Sequence, residues 1–217
     1  MKKISNLFHK IGKKRLVLFS LAFLLAITLS SAAIMSNMNS NTEFADVRIY
    51  LSPSNQYSNY YATGDTTEME QCDKIAAATE QELKKRGFSV MVGQSGDTME
   101  NRCNESDAFG ADMHIPIHTN AFDGEYVGGT RVFILGAEEY TPAECFLNSV
   151  GSISPGEDDK IDYMPNLYEI FTPQAETIYL ECEFHDTVEG AQWIVNNTQS
   201  IARAIADGVY NYYSSLR

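Results

Sequence analysis

From Val47 onward the chain alternates short β-branched runs with amphipathic stretches. Val47 to Pro53 (VRIYLSP) is rich in strand formers and ends in Ser-Pro, which predicts a strand feeding a turn. Between Thr67 and Arg86 the residues Cys72, Ile75, Thr79 and Leu83 recur at helical spacing. Phe88 to Val92 reads as a strand, Thr98 to Phe109 as a helix, and Met113 to Thr119 as a further strand. Gly129 to Leu135 (GTRVFIL) and Glu176 to Phe184 (ETIYLECEF) come next as strands. Helices over Val188 to Asn197 and Ser200 to Leu216 close the chain, the second with Ile201, Ile205, Val209 and Tyr212 on one face. Strands alternating with helices predict an α/β fold, a three-layer domain whose mostly parallel, twisted sheet is covered by helices on both faces. In such sheets functional residues gather at the carboxyl ends of the strands.

The first 36 residues have another pattern. Leu16 to Met35 (LVLFSLAFLLAITLSSAAIM) carries no charge and is long enough to span a bilayer as a helix. Lys2, Lys3, Lys10, Lys13, Lys14 and Arg15 precede it, so the positive flank stays cytoplasmic and the chain beyond Met35 is exported. The long basic flank suits an uncleaved signal anchor, whereas Ser31-Ala32-Ala33 resembles the cleavage site of a signal peptide. Either way the expectation is an exported domain, membrane-anchored, or secreted if the leader is removed. Residues 37–46 read as a linker and 47–217 as the functional domain.

Charge narrows the partners. Of 16 basic residues six lie in the leader, so ten face the 29 acidic ones, all of which come after it. A surface this acidic repels polyphosphate, and nucleic acid is excluded as a partner. Cys72, Cys103, Cys145 and Cys182 are even in number in an exported chain, which permits disulfides, but their spacing matches no zinc ribbon or CxxC motif. Cys72 sits on the apolar stripe of its helix and reads as a free core thiol.

Beyond the leader the histidines are His114, His118 and His185. His114 and His118 share a strand face but stand roughly 13 Å apart, too far to hold one metal. His114, near the strand's start, reads as a hydrogen-bonded core or surface histidine, and His118 lies at its carboxyl end. Counting back along the helix stripe from Cys72 reaches Glu68. Asp65-Thr-Thr-Glu68 and Thr67-Glu-Met-Glu70 both have the capping-box spacing; Glu70 fits the cap well, which leaves Glu68 aimed at the sheet. A buried carboxylate there is costly unless paired or bound to metal. Leu180-Glu181-Cys-Glu183-Phe-His185-Asp186 closes an apolar strand with ionisable groups, and strand alternation puts Glu181 and Glu183 on one face. A carboxylate at such a strand end, beside a metal-bound water, suits hydrolysis. An exposed edge with solvated charges is the plainer reading of the same residues.

Taken in order, these residues resemble the amidase-3 family of zinc-dependent N-acetylmuramoyl-L-alanine amidases, over about residues 47 to 214. Ile115-Pro-Ile-His118-Thr-Asn120-Ala121 is similar to the family's "SIHANA" strand, Glu68 occupies the place of its helix glutamate, and Leu180-Glu181-Cys-Glu-Phe184 resembles "VETGF". Ala-Gln-Trp193-Ile and Ile201-Ala-Arg-Ala-Ile-Ala fit its closing helices. One departure stands out. The family's first strand ends in "DPGHGG", whose histidine binds zinc, and here Leu51-Ser-Pro-Ser-Asn55-Gln56 puts Asn55 in its place. The turn, with Phe184-His185-Asp186-Thr187 after the last strand, resembles a divergent branch carrying "SPS.Q" and "FHDN".

The resemblance implies hydrolysis of the amide between N-acetylmuramic acid and L-alanine in peptidoglycan. It implies Zn²⁺ held by Glu68 and His118, with the third ligand open and His185 a candidate, and Glu181 as the base. Asn55, Gln56, Asn120 and Glu183 are then expected at the substrate or at the altered ligand position. The rival readings are a catalytically inactive peptidoglycan-binding or scaffold protein, which Asn55 favours, and a related amide or peptide hydrolase acting on another wall substrate.

Overall fold

A computed structural model describes residues 43–123 and 127–217. The leader, its apolar run and the linker up to residue 42 lie outside the described residues, as do the anchor and signal-peptide readings that rest on them. Phe44–Arg217 forms one compact unit. It begins three residues before the expected domain start, because Phe44 is buried and stacks on Phe88 with ring centroids 4.6 Å apart. Among the described residues no helix is long and apolar enough to cross a membrane.

The strands are β1 (Arg48–Pro53), β2 (Ser89–Val92), β3 (Met113–Asn120), β4 (Arg131–Ile134), β5 (Lys160–Tyr163), β6 (Glu176–Thr177) and β7 (Tyr179–Phe184). They build one sheet in the order β2-β1-β3-β7-β4-β5, with β6 pairing beside the start of β3. All neighbours run parallel except β4 and β7, which are antiparallel. The first residues of β4 therefore lie at the carboxyl end of β7, so loops entering β4 and β5 reach the edge where β1, β3 and β7 finish.

The α-helices among the described residues are α1 (Glu68–Lys85), α2 (Met99–Phe109), α3 (Tyr140–Val150), α4 (Tyr168–Phe171) and α5 (Val188–Ser215). Residues 136–175, for which the pattern predicts no element, hold α3, β5 and α4. The two closing helices are continuous apart from Asn197, whose backbone leaves helical geometry and whose amide bonds back to the Trp193 carbonyl at 2.8 Å.

One sheet face carries Ile49, Leu51, Ile115, Ile117, Leu180 and Cys182, all buried in a single apolar cluster with Cys72, Ile75, Phe146, Ile194, Ile201 and Ile205 of α1, α3 and α5. Side chains alternate, so the opposite face receives Tyr50, Ser52, His114, His118, Tyr179 and Glu181. The sheet is thus greasy on one side and polar on the other, and the polar side is where its chemistry lies.

At the start of α5 the chain approaches the sheet closely. A β-carbon at Gly190 would lie 1.9 Å from the Phe184 carbonyl oxygen, so only glycine lets the helix begin against the end of β7. All four cysteines are free, with Cys72, Cys103 and Cys182 buried.

Candidate functional site

Thr67 caps α1: its hydroxyl accepts from the Glu70 amide at 3.3 Å while the Glu70 carboxylate accepts from the Thr67 amide at 3.1 Å. With Glu70 occupied by the cap, the first residue of the helix turns inward. Glu68 is fully buried at the carboxyl edge of the sheet. Its Oε1 accepts from His118 Nδ1 at 2.7 Å and, at 3.4 Å, from the Gln56 amide; its Oε2 accepts from Asn59 Nδ2 at 2.6 Å. Burial alone would raise the Glu68 pKa, but the His118 hydrogen bond and charge, with hydrogen bonds from Ser54 and Asn59, pull it below its ordinary value. Conversely, burial lowers the His118 pKa, yet its bond to Glu68 and the nearby carboxylates Glu181 and Glu68 bring it above the ordinary range. Both directions favour the charged forms of the pair.

His118 lies near the end of β3, its ring stacked on Tyr179 at 4.7 Å. Its Nε2 is buried and without a hydrogen-bond partner. Directly across the parallel ladder from His118 sits Glu181, whose Oε2 is likewise buried and unpartnered. Burial pushes the Glu181 carboxyl up to about 8, against the attraction of His118 and with the help of Glu68.

Other predicted residues take different places. Asn55 donates its side-chain amide to the Asp97 carbonyl at 2.9 Å. Asn120 closes a local turn, its side-chain oxygen accepting from Ala121 N at 2.8 Å and its carbonyl from His185 N at 2.8 Å. His185 is nearly fully buried; its Nδ1 is 2.9 Å from Thr119 Oγ1, and its ring stacks on Tyr61 at 4.8 Å, with Tyr61 itself 3.0 Å from the same hydroxyl. Burial lowers its pKa, so it is held as a neutral imidazole.

Glu183 does not accompany Glu181. The pairing of β3 with β7 slips between His118 and Asn120, and this irregularity breaks the alternation that placed the two carboxylates on one face. Glu183 instead accepts from Gly129 N at 3.0 Å, from Phe184 N at 2.7 Å and from the Ser154 hydroxyl. It anchors loops. His114 is fully buried, 3.5 Å from Glu169 and stacked on Tyr50, a core histidine but not the hydrogen-bonded one expected, since neither ring nitrogen has a hydrogen-bond partner.

Sequence reasoning did not single out Asn59, Tyr179 or Glu169. Asn59 belongs to an irregular turn, where spacing carries no signal, and Tyr179 reads as an ordinary strand aromatic. Glu169, which bonds the Ser52 hydroxyl, falls in the stretch without predicted elements.

This edge matches a known architecture. The N-acetylmuramoyl-L-alanine amidase family profile of the amidase-3 type matches residues 49–211, and the chain belongs to that family. It is thereby a hydrolase of this kind. Solved structures with the same fold include the catalytic domain of CwlV, an N-acetylmuramoyl-L-alanine amidase from Bacillus (Paenibacillus) polymyxa var. colistinus, with TM-score 0.68 and 16% identity over 77% of this chain and 98% of that one. AmiC2 of Nostoc punctiforme matches with TM-score 0.71 and 17% identity over 79% and 99% of the two chains. An N-acetylmuramoyl-L-alanine amidase from Clostridium difficile 630 matches with TM-score 0.67 and 19% identity over 81% and 99%. No curated protein matches the sequence significantly.

Catalytic zinc takes three protein ligands and one open position. Glu68 and His118 supply two donors. Asn55 faces Asp97, His185 is bound to Thr119, and among the described residues no three of His, Cys, Asp and Glu form a metal-donor group. The donor set does not fit a catalytic zinc of that type.

Proposed function

We propose that this domain hydrolyses the amide joining the lactyl group of N-acetylmuramic acid to L-alanine in peptidoglycan. The observation that carries the reading is the pair of buried, unpartnered polar atoms on neighbouring strands, His118 Nε2 and Glu181 Oε2. Unpaired buried groups are expensive, and both are satisfied by an amide and a water placed between them. The Glu68 charge favours the doubly protonated His118, whose Nε2–H donates to the substrate carbonyl oxygen and stabilises the negative charge that grows there. The ionised form of Glu181 takes a proton as water oxygen bonds to the carbonyl carbon. It returns that proton to nitrogen as the carbon–nitrogen bond breaks. A pKa near 8 suits a group that must both take and give a proton near neutrality. Zinc dependence, which the family resemblance implies, would need a donor beyond Glu68 and His118, and no step is assigned to a metal.

Product analysis on purified muropeptides tests the reading: free stem peptides beginning with L-alanine are expected, and intact muropeptides after prolonged incubation overturn it. Asn55, standing where the family has a zinc histidine and bonded to the Asp97 carbonyl, supports a second reading in which the groove binds peptidoglycan without cutting it. Binding to wall sacculi with no product release is its signature.

On the same reading the domain lies outside the cell, held through the N-terminal segment or released by cleavage near Ile34. The basic flank before Leu16 and the peptidoglycan substrate support this. Protease added to wall-less cells is expected to digest the domain; full protection rejects export, and the N-terminal sequence of the mature protein separates anchor from secreted form.

A further inference from the structure

We propose that the Glu68 site is completed by the chain's own hydrogen-bond donors, with no resident zinc ion. The proposal concerns the centre used in the hydrolytic reading but stands on different observations. A carboxylate offers about four lone-pair positions. On Glu68, Oε1 receives His118 Nδ1 at 2.7 Å with the Gln56 and Thr119 amides farther off at 3.4 and 3.5 Å, and Oε2 receives Asn59 Nδ2 at 2.6 Å.

Asn59 is built into this arrangement. Its carbonyl accepts the Glu68 amide at 2.8 Å, one of the N–H groups that the first turn of a helix leaves unpaired, while its side chain returns a bond to the Glu68 carboxylate. Entry of a metal at Glu68 would displace Asn59 and His118 protons from a satisfied, buried acceptor. In exchange it would gain one carboxylate, one imidazole and neutral amides, which are poor partners for zinc. The two side chains that could strengthen the set are committed elsewhere, Asn55 to the Asp97 carbonyl and His185 to Thr119 and Tyr61. Four separate elements of the site therefore point the same way.

The test measures zinc by mass spectrometry in the full chain, purified without added metal and then dialysed against buffered zinc. Substoichiometric zinc and a melting temperature unmoved by chelator are expected. Asn59→His, which sets a second imidazole against Glu68, is expected to raise zinc affinity by a factor on the order of 100. Wild-type protein that keeps one zinc per chain through dialysis and loses it in Glu68→Gln overturns the proposal, whether or not the Asn59 variant folds. Muropeptide hydrolysis followed in the same samples separates the two readings. Metal-poor protein that leaves the amide intact supports the proposal and rejects hydrolysis, and zinc-loaded protein that cuts it does the reverse.

Discussion

Asn59 and Glu68 hold each other twice, through a main-chain bond of 2.8 Å from Glu68 N to Asn59 O and a side-chain bond of 2.6 Å from Asn59 Nδ2 to Glu68 Oε2. Asn59→Ala should therefore leave a buried carboxylate oxygen without its shortest donor and lower stability by about 1–3 kcal/mol. Asn59→Asp should cost more, because it sets a second negative charge beside the first. Urea unfolding of the three proteins measures both effects, and equal midpoints would show that the contact carries no stability.

Glu181→Gln should abolish hydrolysis while the fold remains. The amide keeps the shape of the side chain and removes its proton chemistry, a loss on the order of 10²-fold or more in rate. The comparison is turnover on muropeptides beside the circular dichroism spectrum. Retained turnover would dismiss Glu181 as the base.

Stability should fall as pH rises through neutrality. Burial raises the Glu181 pKa from 4.5 to about 8, so across that window the folded chain holds a proton that the unfolded chain has released. Where the native state binds more protons, raising pH favours unfolding. His118, whose pKa is also raised, loses its contribution in the same direction. Melting temperatures from about pH 6 to about pH 9 should decline in wild type and decline less in Glu181→Gln. The apparent pKa read from such curves belongs to the Glu68–His118–Glu181 group rather than to one residue.

Gly190→Ala should destabilise the domain by at least about 1–3 kcal/mol, the usual range for overpacking, since its β-carbon would meet the Phe184 carbonyl at 1.9 Å. The start of α5 must move, and with it the turn carrying His185. A melting temperature within a degree of wild type would mean that the helix start shifts freely.

Thiol reagents should modify Cys145 first. Cys72, Cys103 and Cys182 are buried, and desolvation pushes the pKa of each upward, so the reactive thiolate is scarce as well as hidden. Desolvation raises the Cys145 pKa as well, but this thiol is only part-buried, so access is what sets it apart. Counting labelled thiols before and after denaturation checks this, and rapid labelling of more than Cys145 in the native protein would contradict it.

Much of this arrangement is legible in the sequence. Helical spacing in α1 and the capping box at Thr67 lead directly to an inward Glu68, because both are local rules with fixed periods. His118 and Glu181 follow from strand ends. What escapes is decided by tertiary pairing. The slip between β3 and β7 turns Glu183 away from Glu181, and no strand-period argument can foresee a bulge. The direction of Asn55 depends on the Asp97 carbonyl, forty-two residues away. Residues 136–175 hide α3 and β5 because Pro142 and the short β5 interrupt any sustained period.

The carboxylate of Glu183 joins three chain segments, taking bonds from Gly129, Phe184 and Ser154. The reversed course of β4 is what brings the first and last of these to the end of β7. Amide protons at Gly129 and Phe184 consequently share one latch, and they are expected to exchange with solvent together. Opening of this outer wall is then expected as a subglobal fluctuation distinct from unfolding of the α1 and α5 side of the sheet.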